Sequence, residues 1–68
     1  LDKYYTKEDQ QKKDYIDASR ENITSLENEG HLINVTKIYI QGNQLTTLKG
    51  IELIPNLEII YLWNNPLE

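Results

Sequence analysis

The chain is 68 residues long with a formal charge of −4 at pH 7, and it contains no cysteine, methionine or phenylalanine. That length allows one domain, whose lone core supplies only about 3–5 kcal/mol, and the missing cysteines exclude disulfides and thiolate metal sites. The acid excess and the lack of a basic stripe argue against nucleic acid as a partner, and no apolar run approaches the roughly 18–20 residues that cross a bilayer.

The first predicted element follows Thr6. In Thr6-Lys7-Glu8-Asp9 a hydroxyl residue precedes an acid by three positions, the form of a helix N-terminal capping box. It predicts a short helix over about residues 7–13, within an N-terminal cap segment spanning 1–13. Tyr4, Tyr5 and Tyr15 are expected to supply its packing. A flexible charged tail is the alternative, because Lys3, Lys7, Lys12 and Lys13 interleave with Asp2, Glu8, Asp9 and Asp14 as on a solvated surface.

From residue 14 onward the sequence repeats. Val35-x-x-Ile38-x-Ile40-x-x-Asn43-x-Leu45 returns 22 residues later as Leu57-x-x-Ile60-x-Leu62-x-x-Asn65-x-Leu67. The same step backwards carries Ile38, Ile40, Leu45 and Leu48 onto Ile16, Ala18, Ile23 and Leu26, while Lys13 and Glu21 break the pattern. The units are a degenerate one over 14–34, a complete one over 35–56 and a partial one over 57–68. Each is expected to open with a strand, at about Tyr15–Ala18, Lys37–Ile40 and Ile59–Leu62. The strands pair in parallel, and the rest of each unit is the long crossover that parallel pairing needs. Gly50 and Asn28 share a register and are expected to turn the chain through a left-handed backbone. Leu32-Ile33 and Leu53-Ile54 are expected to close the core from the far side, and Pro55 to stop a helical turn before the third strand. The expected fold class is an α/β solenoid, with a short helical cap, about two and a half repeats and a small parallel sheet.

Alternation within a strand decides what faces out. Ile38 and Ile40 point inward, so Tyr39 points to the opposite face, as do Tyr61 between Ile60 and Leu62 and Asp17 between Ile16 and Ala18. The flanking columns are Tyr15, Lys37 and Ile59 on one side and Ser19, Gln41 and Trp63 on the other. Tyr and Trp offer wide contact area with few rotamers to freeze, which suits a binding surface. The alternative is that these rings only pack on each other as cross-strand pairs, worth about 0.2–1 kcal/mol. His31 reads as a surface histidine on a return segment, without an acidic or cysteine companion at ligand spacing. Asn22 and Asn34 head N-x-T sequons, which matter only in a eukaryotic secretory route. Gly42 and Gly50 serve turns. No nucleophile–base set, paired carboxylates or phosphate loop is visible, so an enzyme, a cofactor and a metal are not expected.

The repeated pattern is that of leucine-rich repeats, L-x-x-L-x-L-x-x-N-x-L. The segment Asn34–Leu45, preceded by Asn22-Ile23-Thr24-Ser25-Leu26, resembles the 22-residue repeats of internalin-like surface proteins of Gram-positive bacteria, where a small helical cap also precedes the ladder. The resemblance covers roughly residues 6–67. It implies a receptor- or ligand-binding module, extracellular or at the cell surface, that grips a protein ligand on its concave strand face. Carried over position by position, that face is Tyr15, Asp17, Lys37, Tyr39, Ile59, Tyr61 and Trp63. The same resemblance makes Asn43 and Asn65 a structural ladder, their amides bonded to backbone inside the turns. Cytosolic phosphatase-regulating proteins use repeats of this length, so an intracellular scaffold or regulator is one alternative. A capping unit that assembles with other copies through the edge of its last repeat is another. Members of the family carry many repeats, so the chain is expected to be the N-terminal end of a larger repeat protein.

Overall fold

The computed structural model describes residues 6–68. Its elements are a helix α1 (Lys7–Lys12), strands β1 (Tyr15–Asp17), β2 (Lys37–Tyr39) and β3 (Ile59–Tyr61), and one 3-10 turn at Ile51–Leu53. The strands form one parallel sheet in the order β1-β2-β3. Ile16, Ile38 and Ile60 are in register across it, as are Asp17, Tyr39 and Tyr61, so each step across the sheet is one step of the sequence repeat.

The strands stop one residue before the expected ends at Ala18, Ile40 and Leu62. The chain is already bending there toward a left-handed residue that recurs in every unit: Arg20 (φ 57°), Gly42 (φ 73°) and Asn64 (φ 62°). Ala18 and Ile40 still donate their N–H across the sheet, to the carbonyls of Tyr39 and Tyr61. Among the expected left-handed turns, Gly50 has φ 102°, whereas Asn28 does not take that conformation. The difference is one of contact. A Cβ on Gly50 would lie 2.5 Å from the Leu26 carbonyl oxygen of the preceding unit, while Asn28 is exposed.

The core lies on one side of the sheet. Ile16, Ala18, Leu26, Leu32, Val35, Ile38, Ile40, Leu45 and Ile54 are buried, with Ile23, Leu57, Ile60 and Leu62 packed against them. Each fully buried Leu or Ile contributes about 1.5–3 kcal/mol relative to exposure. The return segments close this core with one residue apiece. Leu32 and Ile54, which share a repeat position, are buried; Ile33 and Leu53, expected to join them, are 47% and 51% exposed. The 3-10 turn ends at Leu53, with Ile54 extended (φ −98°, ψ 98°) ahead of Pro55 as a pre-proline residue must be.

Asn43 is buried and ties two coils together. Its Oδ1 accepts the Glu21 and Ile23 N–H, both at 2.9 Å, and its Nδ2 donates to the carbonyls of Ala18 (2.9 Å) and Ile40 (2.8 Å). Asn65 repeats the arrangement, accepting from Leu45 N–H (3.1 Å) and donating to the carbonyls of Ile40 (2.9 Å) and Leu62 (2.8 Å). A second amide ladder runs along the return segments. Asn34 Nδ2 donates to the Gln11 carbonyl at 2.7 Å, and Asn56 Nδ2 donates to the Ile33 carbonyl at 2.6 Å.

Helix α1 begins as the capping pattern predicts: Thr6 Oγ1 accepts the Asp9 N–H at 3.1 Å. It ends at Lys12, one residue early, because Lys13 is already extended. A six-residue helix is not stable alone, so docking must hold it. Tyr4 and Tyr5 lie outside the described residues, and Tyr15, the third expected packing partner, stands on the sheet face. The observed contacts are polar. Gln10 is fully buried, its Oε1 2.6 Å from His31 Nε2.

Candidate functional site

The seven residues of the expected binding face are brought to one side of the sheet, opposite the core. Asp17, Tyr39 and Tyr61 form the central column because β-strand parity turns them away from Ile16, Ile38 and Ile60. Tyr15, Lys37 and Ile59 form the column at the strand starts. Trp63 stands two residues beyond Tyr61 on the same face. Tyr15, Ile59 and Trp63 are 50%, 41% and 57% exposed, Asp17 and Lys37 are exposed, and Tyr39 and Tyr61 are half-buried. Asn43 and Asn65 are elsewhere, inside their turns.

Four rings touch in sequence across the sheet. Tyr39 and Tyr61 are stacked, with centroids 4.7 Å apart and planes 3° from parallel. Tyr15 meets Tyr39 edge-on at 6.5 Å and 86°, and Trp63 meets Tyr61 edge-on at 5.5 Å and 83°. The stack follows from the register: identical residues on adjacent parallel strands are set about 4.8 Å apart by the sheet itself. Such contacts add about 0.5–1.5 kcal/mol per pair beyond burial, so the row is a stiffened surface.

Charges cluster at the β1 end. Lys13 Nζ lies 5.9 Å from the Tyr15 ring centroid, within cation–π range. Asp17 Oδ1 accepts from Ser19 Oγ (2.9 Å) and Ser19 N–H (3.3 Å), which fixes the carboxylate. Asp14, Tyr15, Thr36, Lys37 and Tyr39 line an open hollow of about 230 Å³ beside the rings. Sequence reading did not find this hollow. Asp14 and Thr36 precede the strands, and parity arguments say nothing about residues before a strand begins. It also missed Gln41 as more than a flanking residue; the Gln41 Oε1 is buried with no hydrogen-bond partner among the described residues.

His31 is not the isolated surface residue expected. Besides the Gln10 contact, its Nε2 lies 3.6 Å from Glu29 Oε2, and its side chain is largely covered. Glu29 is only two positions away, but a companion at that spacing carries no signal unless the chain folds back, as it does here. The two sequons also differ. Asn22 is exposed in a left-handed turn (φ 58°), whereas the Asn34 amide is engaged with the cap. Among the described residues no group of His, Asp or Glu is arranged to hold a metal ion, and no helix is long and apolar enough to cross a membrane.

Comparison with known protein families, with curated proteins and with solved structures finds no match to this chain. The case for function therefore rests on the geometry of the face. It offers wide ring area, most open at Tyr15 and Trp63, with fixed charges at one end.

Proposed function

We propose that the chain is the cap and first coils of a leucine-rich-repeat solenoid of the internalin-like kind, and that it is a protein–protein interaction module. Its protein ligand binds on the concave strand face, at Tyr15, Asp17, Lys37, Tyr39, Ile59, Tyr61 and Trp63. A cell-surface location goes with that reading, and so does the absence of any enzymatic role. The 22-residue register between strands and the paired amides of Asn43 and Asn65 support the solenoid.

One observation carries the binding role. The rings do pack on each other, as a purely structural row would, yet Tyr15 and Trp63 keep half or more of their surface in water. Mutual packing accounts for Tyr39 and Tyr61 and leaves the ends of the row unexplained. Exposed aromatics held rigid by their neighbours are what interface hot spots are made of.

The test is a selection of peptide ligands from a phage-displayed random library against the folded chain. The triple variant Tyr39→Ala, Tyr61→Ala, Trp63→Ala is expected to lose binding of the selected peptides while its far-UV circular dichroism stays that of the parent. Peptides that bind the triple variant as well as the parent would remove the face from consideration.

A further inference from the structure

Within the face just proposed, the structure assigns unequal roles to the two ends of the aromatic row. The ring faces of Tyr39 and Tyr61 cover each other, and Tyr15 and Trp63 flank the pair. Apolar area left open to a partner is therefore at the ends of the row, and at the β3 end Ile59 and Trp63 lie on either side of Tyr61. No charged side chain lies between residues 59 and 63.

The β1 end is different. Asp17 occupies the Tyr39–Tyr61 column and is the register partner of Tyr39. Ser19 holds its Oδ1, and Oδ2 has no hydrogen-bond partner among the described residues. A cation placed there would meet a fixed carboxylate oxygen and form a charge-assisted hydrogen bond. Of the nearby cations, Lys13 is drawn over the Tyr15 ring, and Lys37 stands in the other column, opposite Tyr15. The net charge of −4 favours a basic partner at longer range.

We infer that the partner is a protein segment laid across the strands with two anchors, a large apolar or aromatic side chain resting over Tyr61 against Ile59 and Trp63 and a lysine or arginine at Asp17. Two strand spacings separate these seats, about 10 Å, which a polyproline-II segment covers in about three residues while bringing both side chains to the same face. This rests on the binding reading above and makes it specific.

The same peptide selection tests it. Enriched peptides are expected to pair a basic residue with an aromatic, Leu or Ile about three positions away. The double variant Ile59→Ser, Trp63→Ser should weaken them at least tenfold. Asp17→Asn should weaken them severalfold and remove the loss of affinity that added salt causes in the parent. Thermal melts of both variants, monitored by circular dichroism, separate lost binding from lost fold. Peptides that depend on Tyr39 and Tyr61 but are enriched in Asp or Glu, or are indifferent to Asp17→Asn, overturn this inference and leave the face standing. Peptides unaffected by the Tyr39, Tyr61 and Trp63 triple variant overturn both.

Discussion

Asn43 works as donor and acceptor at once, joining the Glu21 and Ile23 N–H groups to the carbonyls of Ala18 and Ile40, the last of which it shares with Asn65. Asn43→Ala leaves several buried groups unmade, each costing about 1–3 kcal/mol, so urea denaturation should show a loss of about 3 kcal/mol or more. Asn65→Ala should cost less, because Asn65 is only half-buried. Asn43→Asp keeps the acceptor for Glu21 and Ile23 but turns an oxygen toward the Ala18 and Ile40 carbonyls, so it should not rescue. Gly50→Ala combines a left-handed φ of 102° with a Cβ 2.5 Å from rigid backbone, and a loss above about 2 kcal/mol is expected. Gly42→Ala should be milder, since the atom it meets is Arg20 Cγ, in a flexible side chain. The inward Asn of each turn was legible because the repeat motif names its position. Arg20 in a left-handed conformation was not, since Arg has no preference for it. Asn34 read as a sequon although its amide is a rung of the second ladder, a role that only the neighbouring coil's Gln11 carbonyl reveals.

At the scale of elements, sheet and cap are held by different forces and should fail separately. Thr6→Ala removes the N-cap of α1 at a cost of about 1 kcal/mol. Amide exchange should speed up over residues 7–12 while β2 keeps its protection. In the sheet, Ile38→Ala empties a fully buried site and should cost about 2–5 kcal/mol. Tyr39→Ala on the opposite face loses ring contacts worth about 0.5–1.5 kcal/mol each. That contrast between adjacent strand positions is the energetic signature of parity. Parity and register were readable from the sequence because one repeat step places like on like, Ile16 under Ile38 under Ile60. The ends of the strands were not, since Ala18 and Ile40 continue the hydrogen-bonding while the chain already curves away. The docking of α1 was illegible for another reason. Its anchors are the polar pair Gln10 and His31, 21 residues apart, and no hydrophobic period marks them.

Over the whole molecule, little regular structure coexists with compactness. The radius of gyration is 10.8 Å, close to the roughly 11 Å expected of a folded chain of this length. The coil-to-coil amide ladders and the one-sided core achieve this, and they leave the other side of the sheet free to carry rings. Everything proposed for function depends on that division between an aliphatic inside and an aromatic outside. Nuclear Overhauser contacts in the free protein, recorded with and without a soluble gadolinium relaxation agent, test it most directly. The account predicts methyl contacts linking Ile16, Ile38 and Ile60, ring contacts between Tyr39 and Tyr61, and strong relaxation at Trp63 and Tyr15 while the Ile38 methyls stay protected. Contacts from the Tyr39 ring to Leu32 or Ile54 methyls, with Ile38 relaxed by the agent, would contradict it.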